Sequence, residues 1–307
     1  MFTHDPRSRR DFLRSSAGLA AAALAAPAAF AAEAPPGPAQ DGWQIGCYTR
    51  PWDKHELGAA LDAIAEAGFK HVGLMTIRAK SGLVISAATT PDEARQVGEE
   101  ARKRGLSIPS AYCGDIPVAR SIEAGVEGMK RLIDHCAAAG ATNLLMGGTG
   151  DPKLYDAYYK AIAEGCPYAA ERRIGVSVKP HGGLNATGPL CRKAIQLVGQ
   201  RNFGLWYDPG NVYYYSNGEV DPVADAATVD GLVVGMSVKD YMHPRNVAVT
   251  PGTGKVNFAA VMARLRQGGF TRGPLIVETL APGELPALLG EARKARQFVE
   301  ALVAQKS

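Results

Sequence analysis

No two of the five cysteines, Cys47, Cys113, Cys136, Cys166 and Cys191, are spaced Cys-x-x-Cys, which excludes a zinc knuckle and a redox pair of that type. Odd in number and widely spaced, they read as small core residues, with one disulfide left open in an oxidising compartment. Charge of one sign is lacking as well, since 34 Lys and Arg stand against 30 Asp and Glu. That balance excludes the electrostatic footprint of a nucleic-acid or membrane-surface protein. No glycine-rich phosphate turn follows the first strand-like run. There, Gly46-Cys47-Tyr48-Thr49-Arg50-Pro51-Trp52 offers aromatics and an arginine instead, against a dinucleotide-binding open sheet. Gly252-Thr253-Gly254-Lys255 is not a P-loop either. Val249 stands where the first glycine is required and Val256 where the metal-binding hydroxyl is.

A membrane-spanning run is also missing. The alanine-rich stretch from Ala17 is too short and too weakly hydrophobic to make a good span. It follows Arg7-Ser8-Arg9-Arg10-Asp11-Phe12-Leu13-Arg14 and precedes Ala29-Phe30-Ala31, the order of a twin-arginine signal and a small-residue cleavage site. This predicts a signal peptide over residues 1–32, cleavage near Ala31, and a periplasmic mature protein without membrane attachment. Cleavage leaves 30 basic against 28 acidic side chains, so the argument against nucleic acid stands for the mature chain. Residues 33–42, with Pro35, Pro36, Gly37 and Pro38, read as a stiff linker.

What is present, from Trp43 onward, is an alternation of strand-like and helix-like runs. The strands are expected at Gln44–Tyr48, His71–Met75, Ser107–Cys113, Asn143–Met146, Gly175–Lys179, Phe203–Asp208, Gly231–Lys239 and Pro274–Thr279. Between them the helical period predicts Glu56–Ala67, Pro91–Arg104, Ile122–Ala139, Tyr155–Arg172, Pro189–Val198, Phe258–Gln267 and Leu285–Val303. Glycine ends helices at Ala67-Gly68-Phe69 and Arg104-Gly105-Leu106, and Thr90-Pro91-Asp92-Glu93 is a capped start. The strands are apolar on both faces, as parallel strands covered by helices must be. Eight such units predict an α/β fold of one domain, a single (β/α)8 TIM barrel over residues 43–307.

In such a barrel, catalytic groups stand at the C-terminal ends of the strands and in the loops that follow. Those positions hold Tyr48, Arg50 and Trp52, then Arg78, Tyr112 and Asp115, then Lys179 and His181, Asp208 and Asn211, Lys239 and Asp240, and Glu278. Ile174-Gly175-Val176-Ser177-Val178-Lys179-Pro180-His181-Gly182-Gly183 is the most pointed stretch. An apolar strand there hands a lysine and a histidine to the mouth, where an unpaired ammonium is costly to bury. Glu278 sits inside Leu275-Ile276-Val277-Glu278, where an unpaired carboxylate is equally costly. Asp208, in Asp208-Pro209-Gly210, either starts a turn or points into the mouth. Lys239-Asp240 reads equally as a structural ion pair or as part of the site. The expected catalytic groups are Lys179, Glu278, His181 and Lys239. The expected substrate contacts are Asp208, Asn211, Arg50, Trp52 and Tyr112; Trp52, Tyr112 and the run Tyr213-Tyr214-Tyr215 read more often as packing than as ligand platforms, with one flat aromatic at a sugar site left open.

Several of these runs together carry a resemblance. Ile45-Gly46-Cys47, Ala60-Leu61-Asp62-Ala63-Ile64-Ala65-Glu66-Ala67-Gly68-Phe69, Trp206-Tyr207-Asp208-Pro209-Gly210-Asn211, Val238-Lys239-Asp240 and Gly252-Thr253-Gly254-Lys255-Val256-Asn257-Phe258 are joined by Ile276-Val277-Glu278. The chain thereby resembles the sugar phosphate isomerase/epimerase group of xylose-isomerase-like barrels. The resemblance implies a divalent metal (Mn, Zn or Mg) held by a glutamate ending strand five, an aspartate ending strand six, a histidine on strand seven and a glutamate ending strand eight. Asp208 and Glu278 keep two of these places, while Lys179 and Ser237 occupy the other two. Two arrangements stay open. Either Asp208, Glu278 and His181, with His243, hold a metal in a reshaped site, or Lys179 takes over part of the metal's work. In the second, Glu278 or His181 is the base, or else Lys179, its pKa lowered by burial and by Lys239, is the base or forms a Schiff base.

The resemblance implies a small-molecule sugar substrate and proton abstraction next to a carbonyl: isomerisation, epimerisation, or elimination of a keto-glycoside. A sugar-binding barrel without catalysis is the reading from a different class. A metal-dependent phosphodiesterase stands last, because it needs histidines at several strand ends and the mouth offers only His181 and His243.

Overall fold

Parallel strands β1 (Trp43–Tyr48), β2 (His71–Leu74), β3 (Ser107–Tyr112), β4 (Asn143–Met146), β5 (Gly175–Val178), β6 (Phe203–Tyr207), β7 (Val233–Val238) and β8 (Gly273–Val277) close in sequence order into a barrel. They come from a computed structural model that describes residues 42–304. The twin-arginine pattern, its cleavage site and the linker up to residue 41 lie outside the described residues. The helices are α1 (Leu57–Glu66), α2 (Pro91–Lys103), α3 (Ile122–Ala139), α4 (Tyr155–Glu171), α5 (Gly188–Val198), α6 (Pro209–Tyr215), α7 (Pro222–Ala226), α8 (Phe258–Gln267) and α9 (Leu285–Ala304). Among the described residues no helix is long and apolar enough to cross a membrane. The expected single barrel is therefore observed, with helix ends within a residue or two of the sequence reading.

The local signals act as expected. Thr90 accepts the Glu93 amide while the Glu93 carboxylate accepts the Thr90 amide, a reciprocal cap that starts α2 with Pro91 in its first turn. Gly140, at φ 74°, closes α3 in the left-handed conformation that glycine adopts without steric cost. Two short helices, α6 and α7, escape the sequence reading. Both start at a proline behind a capping aspartate, Asp208 and Asp221, and both are too short for a periodic pattern.

Strand alternation divides the apolar residues into two cores. Val176 and Val178, Leu205 and Tyr207, and Leu275 and Val277 belong to the large core that the helices cover. Tyr48, Met75, Leu145, Trp206 and Ile276 form a second cluster inside the barrel. Glycines make room for its two largest rings: a Cβ on Gly73 would strike the Tyr48 ring, and one on Gly235 the Trp206 ring. This inner layer is the floor on which the strand-end residues stand. All five cysteines are buried free thiols, with the Cys113 and Cys136 sulfurs 3.8 Å apart.

Candidate active site

In β5 to β8 the last strand residue is turned outward to the helices, the next one faces inward, and that next residue is charged. Lys179 follows Val178, Asp208 follows Tyr207, Lys239 follows Val238 and Glu278 follows Val277. Register brings them together. Val238 pairs with Val277 and Cys47 with Val277, so the ends of β7, β8 and β1 lie side by side. Lys179, Lys239, Asp208 and Glu278 are at most 3 % exposed, and charges so buried persist only when paired.

The pairing is dense. Glu278 Oε1 receives Arg50 Nη1 at 2.6 Å and Lys239 Nζ at 2.5 Å, while Oε2 receives Lys179 Nζ at 2.6 Å and the Ser237 hydroxyl at 2.6 Å. Asp208 Oδ2 lies 2.9 Å from Lys179 Nζ and 3.3 Å from Lys239 Nζ, and its Oδ1 caps α6 by accepting the Asn211 amide at 2.9 Å. Asp208 therefore fills both roles that the sequence left open. Asn211 accepts from Lys239 Nζ through Oδ1 at 3.0 Å and donates to the Pro180 carbonyl at 2.6 Å.

Electrostatics follow this geometry. Burial alone would raise the Glu278 carboxyl, but Lys179, Lys239 and Arg50 outweigh it and hold the group well below the usual carboxylate range. Burial also opposes the Lys179 ammonium, yet Asp208 and Glu278 hold its pKa above the ordinary value. Lys239 is shifted the other way, because burial, with repulsion from Lys179 and Arg50, exceeds the attraction of the same carboxylates. The expected lowering at Lys179 is thus corrected: among the two lysines it falls on Lys239, whose carboxylate contacts are partly offset by two neighbouring cations.

His181 stands apart from the ion cluster. It is exposed, on the turn after β5, and its ring meets the edge of Tyr215 with centroids 5.8 Å apart. Desolvation first, and then Lys179 and Lys239, push its pKa down to about 4, so the imidazole is neutral at pH 7. Two glycines shape its surroundings. Gly182, at φ +86°, would place a Cβ 2.7 Å from the Tyr215 ring, while a Cβ on Gly147 would lie 3.5 Å from His181 Nδ1 and 3.6 Å from the Tyr112 hydroxyl. The space over Gly147 is open between an imidazole and a phenol. Asn185 holds this corner by donating to the Lys179 carbonyl at 2.7 Å and the Gly147 carbonyl at 2.9 Å.

The mouth thus gathers Lys179, Lys239, Asp208, Glu278, Asn211 and Arg50, with His181 and half-buried Tyr112 at its edge. Trp52 is not among them. It is 0 % exposed and packs in the outer apolar core, because the 3-10 turn Arg50–Trp52 carries residues two apart to different sides. Its expected role as a substrate contact is corrected accordingly, and Tyr215, from the run Tyr213-Tyr214-Tyr215, stands beside His181 instead. Lys239 and Asp240 form no ion pair. Asp240 turns away and accepts the amides of Tyr241, Gly252, Gly254 and Val256 at 2.8–3.0 Å. The glycine-rich run that is no P-loop is therefore a cradle for the chain's own carboxylate. Sequence reading also passed over Gly147 and Asn185, since their roles depend on a close approach from another strand end, and it left Tyr215 within a run read mainly as packing.

As arranged, these side chains do not fit a divalent ion. Both Glu278 oxygens are engaged by cations, and Lys179 Nζ occupies the space between the Glu278 and Asp208 carboxylates. Among the described residues no three His, Cys, Asp or Glu side chains converge to hold a metal, so Asp208, Glu278 and His181 do not form the reshaped ligand set expected above. His243 is exposed in the loop after β7 and has no hydrogen bond or ion pair with the cluster among the described residues.

A closed ring of eight parallel strands with its polar groups gathered at the strand C-termini defines a (β/α)8 barrel with its candidate site at the usual face. Residues 61–302 match the model of the xylose isomerase-like TIM barrel family, and the chain belongs to that family. Similar solved structures include a xylose isomerase domain protein from Planctomyces limnophilus, at 19 % identity and TM-score 0.66, covering 85 % of this chain and 97 % of that one. A D-psicose 3-epimerase in the presence of D-fructose aligns at 14 % identity and TM-score 0.67, over 85 % and 100 % of the two chains. A D-allulose 3-epimerase from Methylomonas sp. in complex with D-allulose aligns at 16 % identity and TM-score 0.66, over 85 % and 97 %. No curated protein matches the chain.

Proposed function

We propose that this protein is an exported, carbohydrate-active enzyme of the isomerase or epimerase kind that removes a proton next to the carbonyl of a sugar or keto-sugar. The observation that carries this reading is the pair of ammonium groups, Lys179 and Lys239, locked by Glu278 and Asp208 on the barrel floor. Structural neighbours that bind or epimerise ketoses support the substrate class. Enolisation moves negative charge onto the carbonyl oxygen, and fixed cations already aimed at that point stabilise it without reorganising. Lys179 and Lys239 do this work. Glu278 and Asp208 hold the ammonium groups in place and are too fully engaged to accept a proton. His181, neutral and unblocked at the rim, takes the proton from carbon. The Tyr112 hydroxyl, across the open space over Gly147, faces the same region and returns a proton on the other side. Elimination of a keto-glycoside begins with the same proton removal and belongs to the same reading.

The test is solvent-deuterium incorporation into candidate ketoses and keto-sugars. Exchange that exceeds a Lys179→Met control supports the proposal, and exchange no greater than that control overturns it. A second reading, a sugar-binding barrel without catalysis, draws on the saturation of both carboxylates by cations. Tight sugar binding without exchange, unchanged by added Mn²⁺, Zn²⁺ or Mg²⁺, selects it.

A further inference from the structure

The charges in the cluster do not cancel. Three cations, Arg50, Lys179 and Lys239, face two carboxylates, Asp208 and Glu278. Lys239 counts as an ammonium on geometric grounds. Its Nζ faces three acceptors, Glu278 Oε1, Asp208 Oδ2 and Asn211 Oδ1, and only the protonated amine has three donors. Four of the five charged groups are buried, so an uncompensated positive charge is held where water screens it weakly. The next carboxylate at the mouth, Asp115, is exposed and takes no part in the ion pairs of the cluster.

Arg50 is where that charge meets solvent. Its side chain is 37 % exposed, and among the described residues its one partner is Glu278, reached through Nη1. The guanidinium has five N–H donors in a rigid fork that matches a carboxylate. The edge carrying the remaining donors is held at the mouth by the Glu278 contact behind it and by the buried Trp52 that anchors the same turn. Mutual compensation is complete inside the cluster except at this edge.

We infer that the substrate is a monoanionic sugar, a uronate, ketoaldonate or other keto-acid, whose carboxylate pairs with the free edge of Arg50 while its separate carbonyl lies over Lys179 and Lys239. This deepens the proton-abstraction reading and rests on it for the placement of the carbonyl. A neutral sugar would leave the excess charge where it is, whereas a monoanion brings the sum of site and ligand to zero. The carboxylate makes charge-assisted bonds at Arg50, and the carbon chain extends across the mouth towards His181.

Titration calorimetry on the purified chain separates the two readings, because it needs no turnover. The probes are uronates and aldonates, each paired with its neutral sugar or alditol: D-glucuronate against D-glucose, D-galacturonate against D-galactose, D-gluconate against D-glucitol. For at least one pair the acid is expected to bind roughly ten- to a hundred-fold tighter than its neutral partner. That preference should shrink as salt is raised, disappear in Arg50→Gln and survive in part in Arg50→Lys, with thermal melts verifying that both variants are folded. No acid binding tighter than its neutral partner overturns the inference, as does an acid preference that persists in Arg50→Gln. Acid-selective binding without deuterium exchange would leave the anion site standing and sink the catalytic reading. Exchange on neutral sugars with no acid preference would do the reverse.

Discussion

Two buried carboxylates, Asp240 and Glu278, each satisfy their charge with about four donors, and they do it in opposite ways. Asp240 accepts four backbone amides, from Tyr241, Gly252, Gly254 and Val256. Glu278 accepts three cationic side chains and one hydroxyl, from Arg50, Lys179, Lys239 and Ser237. Backbone donors cannot leave without unfolding the loop that carries them, so Asp240 is a tie that shapes the chain between β7 and α8. Side-chain donors bring net charge of their own, and one of them, Arg50, carries it to solvent at the mouth, so Glu278 is the base plate of a site. Adjacent residues of one strand end thus divide the labour, Lys239 turning inward and Asp240 outward.

The largest effect that would sharpen this contrast is expected at Lys179. Lys179→Met removes the ammonium that bridges Glu278 and Asp208, a loss of charge-assisted hydrogen bonds that costs about 3 kcal/mol of stability and lowers deuterium exchange by roughly a thousand-fold, the scale of losing a fixed oxyanion stabiliser. Urea melts and exchange rates read both, and a variant that keeps its exchange rate breaks the assignment. Asp240→Asn should lose stability, by about 1–3 kcal/mol for unsatisfied buried groups, while the exchange rate of the folded fraction stays within a few-fold. A large loss of exchange at unchanged stability would erase the distinction between tie and site.

A third outcome concerns the metal. Chain purified without chelator should carry well under one equivalent of Mn, Zn or Mg by elemental analysis, whereas Lys179→Glu combined with Ser237→His should gain a bound ion by restoring four protein ligands. A stoichiometric metal in the unaltered chain would return Glu278 to the ligand role that its relatives' pattern implies. The smallest effect is a slope. His181 has a folded pKa near 4 against an ordinary 6.5, so the unfolded chain binds more protons in between and stability falls as pH drops from about 6.5 to about 4. His181 is exposed, so the effect is modest, and His181→Asn should flatten the urea midpoint across that window. Equal slopes in the two proteins would show that solvent screens the histidine from Lys179 and Lys239.

Much of this architecture is legible in the order of residues. Runs such as Asn143–Met146 and Ile122–Ala139 have the bounds in the structure that their patterns predict, because period and punctuation are local properties. Lys179, Asp208, Lys239 and Glu278 could be picked as site residues because a charge at the end of an apolar strand needs a partner. Trp52 was misplaced for an equally physical reason. Its side depends on a turn of three residues whose direction no periodicity reports. Gly147 and Asn185 stayed hidden because each matters only against a neighbour from another strand end.

The sequence by itself therefore determined the eight βα units and the identity of the groups at the strand ends, among them Lys179 and Ser237 at two places where the resemblance implies metal ligands. Only the tertiary structure decided which charges meet. Arg50 and Glu278 are 228 residues apart and touch because β1 and β8 close the barrel. Lys239 and Asp240 are adjacent and part company because successive residues at a strand end face opposite ways. Electrostatic pairing depends on distance through space, and closure of the barrel sets that distance.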